Sequence, residues 1–129
     1  MNPMEFTESV KTRLSTDSIV ASFEVIREFA NLNEGFIRVR AILTNGDILD
    51  SSEFVKSDSL EIASYRYQWM NKDKNLIRRW DNAPHHANHE NFPHHIHIPV
   101  GEAEEEVKPG IPMDIFAILD EIEKIINPD

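Results

Sequence analysis

The chain has 129 residues, 40% of them hydrophobic, which suits one domain, expected over residues 1–129, with a single core. It contains no cysteine, which excludes disulfides, thiolate nucleophiles and Cys-type zinc sites and fits a reducing, cytoplasmic location. A formal charge of −10 opposes binding to phosphate backbones, so any anion site has to be a local basic patch.

The first residues, "MNPMEFTESVKTRLSTDS", lack the basic-then-apolar order of a signal peptide. Within them "MEFTESVKTRL" (4–14) predicts a short amphipathic helix. "SIVASFEVIREFA" (18–30) alternates and is rich in β-branched and aromatic residues, as a strand requires. "EGFIRVRAIL" (34–43) places Ile37, Val39, Ala41 and Leu43 on one face and Arg38, Arg40 and Ile42 on the other. "TNGD" (44–47) predicts a tight hairpin with positive φ at both Asn45 and Gly46. The returning strand is "DILDSSEFV" (47–55), followed by "SLEIASYRYQWM" (59–70), a turn at "NKDK" and "NLIRRWDNA" (75–83). At the far end "PMDIFAILDEIEKIIN" (112–127) sets Ile115, Phe116, Leu119, Ile122 and Ile126 at helical spacing, with Pro112 suited to a first turn and Asp114 to the positive helix end. Short connections make sequential antiparallel pairing the expectation. The expected fold is therefore α+β: a five-stranded antiparallel meander sheet with N-terminal and C-terminal helices packed on one face. No apolar run approaches the roughly 18 residues of a membrane span, so no membrane partner is expected.

Alternation also assigns the sheet faces. If Val39 and Ala41 face the helices, so do Phe23, Val25, Tyr65, Tyr67 and Trp69. The opposite face then collects Glu24, Glu28, Arg38, Arg40, Asp50, Arg66, Gln68, Arg79 and Asp81. Such a face is either a solvated surface with cross-strand ion pairs or an Arg-rich platform for phosphate or RNA. Arg66, Lys72, Lys74, Arg78 and Arg79 against Asp73 alone make the stretch from 66 to 79 net basic.

All six histidines lie between His85 and His97, in "HHANHENFPHHIH". One reading is metal binding. His95 and His97 form H-x-H, whose rings point the same way on an extended segment, and His85 or His86 supplies a third ligand, with Asp81 or Glu90 as a carboxylate. The ligand set is then His85, His95 and His97, and the ion zinc or another divalent transition metal. A second reading is acid–base catalysis: RNA cleavage without metal needs a base, an acid and a cation, which histidine and arginine provide. A third is a polar loop pinned by Pro84, Phe92 and Pro93.

"YRYQWMNKDKNLIRRWDNAPHH" followed by "FPHHIH" resembles the TumE family, small proteins associated with prokaryotic toxin–antitoxin loci. The matched positions are Tyr65, Arg66, Tyr67, Trp69, Leu76, Ile77, Arg79 to His86, with Arg79-Trp80-Asp81-Asn82-Ala83-Pro84 unbroken, and Phe92, Pro93, His94, His95 and His97. Gln68 stands where relatives often carry His. The resemblance implies a toxin neutralised by a cognate antitoxin, itself usually a helix-turn-helix protein. Because many small toxins of such pairs cleave RNA, the leading expectation is a metal-independent ribonuclease. His95 and His97, or His86 with either, would be its acid and base, Arg66 and Arg79 its phosphate cations, and Asp81 the group that orients a histidine. His85 and His94 are further candidates. The alternative is a non-catalytic binding module whose His segment, with or without metal, docks a partner. A homodimer is left open.

Overall fold

A computed structural model describes residues 1–58, 62–84, 92–102 and 104–129. Among these, seven strands and two helices follow in the order α1 (Pro3–Thr16), β1 (Val20–Ala30), β2 (Glu34–Leu43), β3 (Ile48–Lys56), β4 (Ser64–Met70), β5 (Leu76–Asp81), β6 (His95–Gly101), β7 (Glu104–Pro109) and α2 (Ile115–Ile126). The strands form one antiparallel sheet in sequential order. The five-stranded expectation is thus corrected to seven. The two missed strands come from the histidine segment and the acidic run after it. Neither shows an apolar alternation strong enough to read as a strand, because β7 packs little and is held by its ladder to β6. Its run of Glu104, Glu105 and Glu106 places charge on the sheet's last strand, which discourages edge-to-edge pairing.

α1 starts at Asn2, whose side chain accepts from the Glu5 N–H while the Glu5 carboxylate accepts from the Asn2 N–H. α2 starts later than its apolar spacing suggested. Asp114 is the N-cap, accepting from the Ala117 N–H at 2.9 Å, and Pro112 lies outside the helix. Val10 and Leu14 of α1 and Ile115, Ile118, Leu119 and Ile122 of α2 meet Ile37, Val39, Ala41, Leu43, Leu49, Tyr65, Tyr67, Trp69 and Trp80 in one core. Both helices therefore cover the same sheet face. Each fully buried Leu or Ile contributes roughly 1.5–3 kcal/mol of transfer free energy, so this face anchors the molecule.

The hairpin at Asn45-Gly46 forms, but only Gly46 has positive φ (92°). The Gly46 N–H donates to the Leu43 carbonyl, so the chain makes an ordinary turn and resets its twist at one glycine. Glu28 is the second correction. A bulge between Val25 and Arg27 places it opposite Ile37, on the helix side, where Lys11 Nζ lies 2.9 Å from its Oε2.

On the uncovered face the register lines side chains into three neighbouring rows. Glu24, Arg40, Asp50, Gln68, Arg79 and His97 form one. Arg27, Arg38, Ser52, Arg66, Asp81 and His95 form the next. Phe29, Phe36, Phe54 and Ser64 form the third. The site lies where the first two rows end.

Candidate functional site

Two adjacent strands build the centre. β5 ends at Asp81, and Asn82 fastens that end. Its Oδ1 accepts from the Tyr65 N–H at 2.9 Å, and its Nδ2 donates to the Ala63 carbonyl at 3.2 Å. β6 then pairs so that Asp81 faces His95 and Arg79 faces His97. Gly110 allows this approach. A Cβ there would meet the His95 backbone at 3.2–3.3 Å, and its N–H donates to the His94 carbonyl at 2.9 Å.

Asp81, His95 and His97 are all buried. Asp81 Oδ1 lies 2.5 Å from His95 Nε2, and Asp81 Oδ2 lies 3.2 Å from His97 Nε2. The second contact has ion-pair distance without the alignment of a hydrogen bond. The outer nitrogens are also engaged: His95 Nδ1 is 2.8 Å from the Pro93 carbonyl oxygen and His97 Nδ1 is 3.0 Å from Glu105 Oε1. The two rings meet edge to face, 4.8 Å between centroids. Burial and the neighbouring Arg79 push the His97 ring below the ordinary histidine value, outweighing the upward pull of Asp81 and Glu105. Arg79 bridges Asp81 Oδ2 (3.5 Å) and Glu105 Oε1 (3.2 Å).

An open cavity of about 380 Å³ lies over this cluster, lined by Arg66, Arg79, Asp81, His95, His97, Phe36 and Phe54 among others. Arg66 is exposed. Its guanidinium donates to the Gln68 amide oxygen at 2.9 Å and meets no carboxylate among the described residues. Arg38 and Arg40 are committed elsewhere, both to Asp50 at 3.0–3.1 Å. Burial pushes Asp50 up, but its hydrogen bonds to these two guanidiniums prevail and hold its carboxyl below the ordinary value. That part of the face is a cross-strand ion-pair surface, as one sequence reading had it.

Of the residues expected from the sequence, Arg66, Arg79, Asp81, His95 and His97 come together around one cavity. His94 does not. It alternates to the other side, where its Nδ1 is 2.7 Å from the Tyr65 hydroxyl and its ring stacks on Tyr65. His85 and His86, with Glu90, lie outside the described residues. Tyr65, Tyr67 and Trp69 are core, as alternation required. Sequence reasoning missed Glu105, which no local pattern distinguishes from its acidic neighbours. It also missed Phe36 and Phe54, although Phe36 shares the parity of Arg38 and Arg40, and that was the available signal.

No helix among the described residues is long and apolar enough to cross a membrane. No curated protein and no solved structure shows a significant match to the chain. The family model described as Toxin TumE, by contrast, matches residues 10–126. That span takes in the whole sheet, the Asp81–His95–His97 cluster and α2, so this chain belongs to the TumE family of toxins.

Proposed function

We propose that this toxin is the cytoplasmic partner of a cognate antitoxin and that it cleaves RNA in the cavity on the uncovered sheet face. One observation carries the reading: Arg66 and Arg79 border the same cavity as the buried Asp81–His95–His97 cluster. Cleavage by the 2′-hydroxyl forms a 2′-oxygen–phosphorus bond and breaks the bond from phosphorus to the 5′-oxygen. One proton leaves the nucleophile, one joins the leaving oxygen, and negative charge builds on the phosphoryl oxygens. Arg66 and Arg79 supply cationic donors for that charge. The proton movements fall to the Asp81–His95–His97 cluster, where His95 and His97 hold the roles that residue chemistry suggested. Phe36 and Phe54 offer apolar rings along the cavity wall on which an unpaired base stacks.

The test is inducible expression of the wild type and of Arg66→Gln/Arg79→Gln, with growth and RNA integrity followed together. The wild type is expected to arrest growth and fragment RNA. The double variant, folded by circular dichroism, should lose both effects. Growth arrest by the wild type with intact RNA overturns the ribonuclease reading.

A further inference from the structure

We propose that Asp81, His95 and His97 bind a divalent first-row transition ion, with zinc the best fit to this donor set. The inference concerns ion binding and stands whether or not RNA is the substrate.

Hydrogen bonding sets the direction of each ring. The Pro93 carbonyl oxygen only accepts, so His95 Nδ1 carries a proton and Nε2 is the nitrogen presented to Asp81. Glu105 does the same for His97: its carboxylate accepts a hydrogen bond from Nδ1–H, and Nε2 again turns inward. Both inner nitrogens then converge on one carboxylate, a two-imidazole, one-carboxylate donor set of the kind that holds zinc. The donor atoms lie within 4.8 Å of one another. Tetrahedral ligands about 2.1 Å from one ion lie roughly 3.4 Å apart, so binding draws in the widest pair and moves His95 Nε2 off Asp81 Oδ1.

The outer partners match what metal-bound histidines use. Each ligating ring ordinarily donates its other N–H to a carbonyl or carboxylate, which fixes tautomer and orientation. His95 has the Pro93 carbonyl and His97 has the Glu105 carboxylate. Three protein ligands of two nitrogens and one carboxylate leave a position open, as in catalytic rather than closed structural zinc sites. All three residues line the cavity that Arg66 and Arg79 border. An ion held there would polarise a phosphoryl oxygen or water, and its bound water would then take the proton transfers assigned above to His95 and His97, whose rings would serve as ligands.

The experiment uses the untagged full chain, stripped with chelator and titrated calorimetrically with Zn²⁺, with Co²⁺ as a spectroscopic probe. One equivalent of Zn²⁺ per chain and a Co²⁺ visible spectrum with imidazole ligation are expected. Asp81→Asn and His97→Ala should weaken binding more than about 100-fold, and Glu105→Gln, which removes the outer carboxylate of His97 and its ion pair with Arg79 but no ligand, about 10–100-fold. Circular dichroism identifies the folded variants, and the wild-type spectrum does not depend on any of them. Absence of Zn²⁺ and Co²⁺ binding by the wild type overturns the proposal. So does binding that survives Asp81→Asn and His97→Ala in folded protein, or that disappears only when His85, His86 and His89 are replaced. Failure of RNA cleavage with ion binding intact would sink the ribonuclease reading alone.

Discussion

Lys74 closes the turn between β4 and β5 with φ 65°, a left-handed conformation that a side chain with a Cβ adopts at a cost. The turn holds it there. Asn71 Oδ1 accepts from the Asp73 and Asn75 N–H groups, and the Lys74 N–H donates to the Asn71 carbonyl. Lys74→Gly should therefore raise stability by about 0.5–1 kcal/mol, the relief of the Cβ strain less the added freedom of the unfolded glycine. A urea midpoint that stays put or falls would contradict this. The same scale separates two consecutive histidines. His94 and His95 are neighbours in sequence, yet one stacks on Tyr65 and the other contacts Asp81, because alternation sends them to opposite sides.

Elements are joined by a buried carboxylate. Glu53 of β3 accepts from the Tyr67 hydroxyl of β4 at 2.7 Å and from the N–H of Ile115, the first residue of α2, at 3.0 Å. Burial pushes its carboxyl up to about 7, above the ordinary value of 4.5, against the pull of Tyr67 and Ile115, with the nearby Asp114 adding to the rise. A raised carboxyl means that the folded state keeps a proton the unfolded chain has released between pH 4.5 and about 7. Stability attributable to Glu53 should thus fall as pH rises through that window, by roughly 3 kcal/mol in total, and stay flat on either side. Glu53→Gln does not titrate. The difference between the wild-type and Glu53→Gln unfolding free energies should therefore shift across pH 4.5 to 7, and a constant difference would show that Glu53 does not titrate in that window.

At the scale of the molecule, a chain of charge −10 sets two arginines at the cavity rim. Five arginines lie in the first two rows of the uncovered face: Arg38 and Arg40 pair with Asp50, Arg27 stands on β1, and Arg66 and Arg79 border the cavity, Arg79 also bridging Asp81 and Glu105. Two phosphate contacts on single-stranded RNA predict a shallow salt dependence, with log K falling against log salt at a slope of roughly −1 to −2. Fluorescence anisotropy between about 50 and 200 mM salt measures it. A much steeper slope would mean that RNA runs along further basic residues. Loss of the slope in Arg66→Gln/Arg79→Gln would tie it to these two.

What the sequence determined by itself is whatever depends on local period and local chemistry. Alternation placed Ile37, Val39, Ala41, Tyr65, Tyr67 and Trp69 in the core and Arg38, Arg40, Arg66, Arg79 and Asp81 on the other face. H-x-H spacing put His95 and His97 on one side, and the motifs around them identified the family. What only the tertiary structure decided depends on pairing between distant segments. β6 and β7 exist because their backbones complete a ladder, and their own side-chain pattern, interrupted by Pro99 and crowded with glutamates, does not announce it. That pairing brings Glu105 to His97 and Asp81 to His95. The bulge in β1 turned Glu28 toward Lys11 for a similar reason: one extra residue shifts the parity of everything beyond it, and only the partner strand reveals the shift.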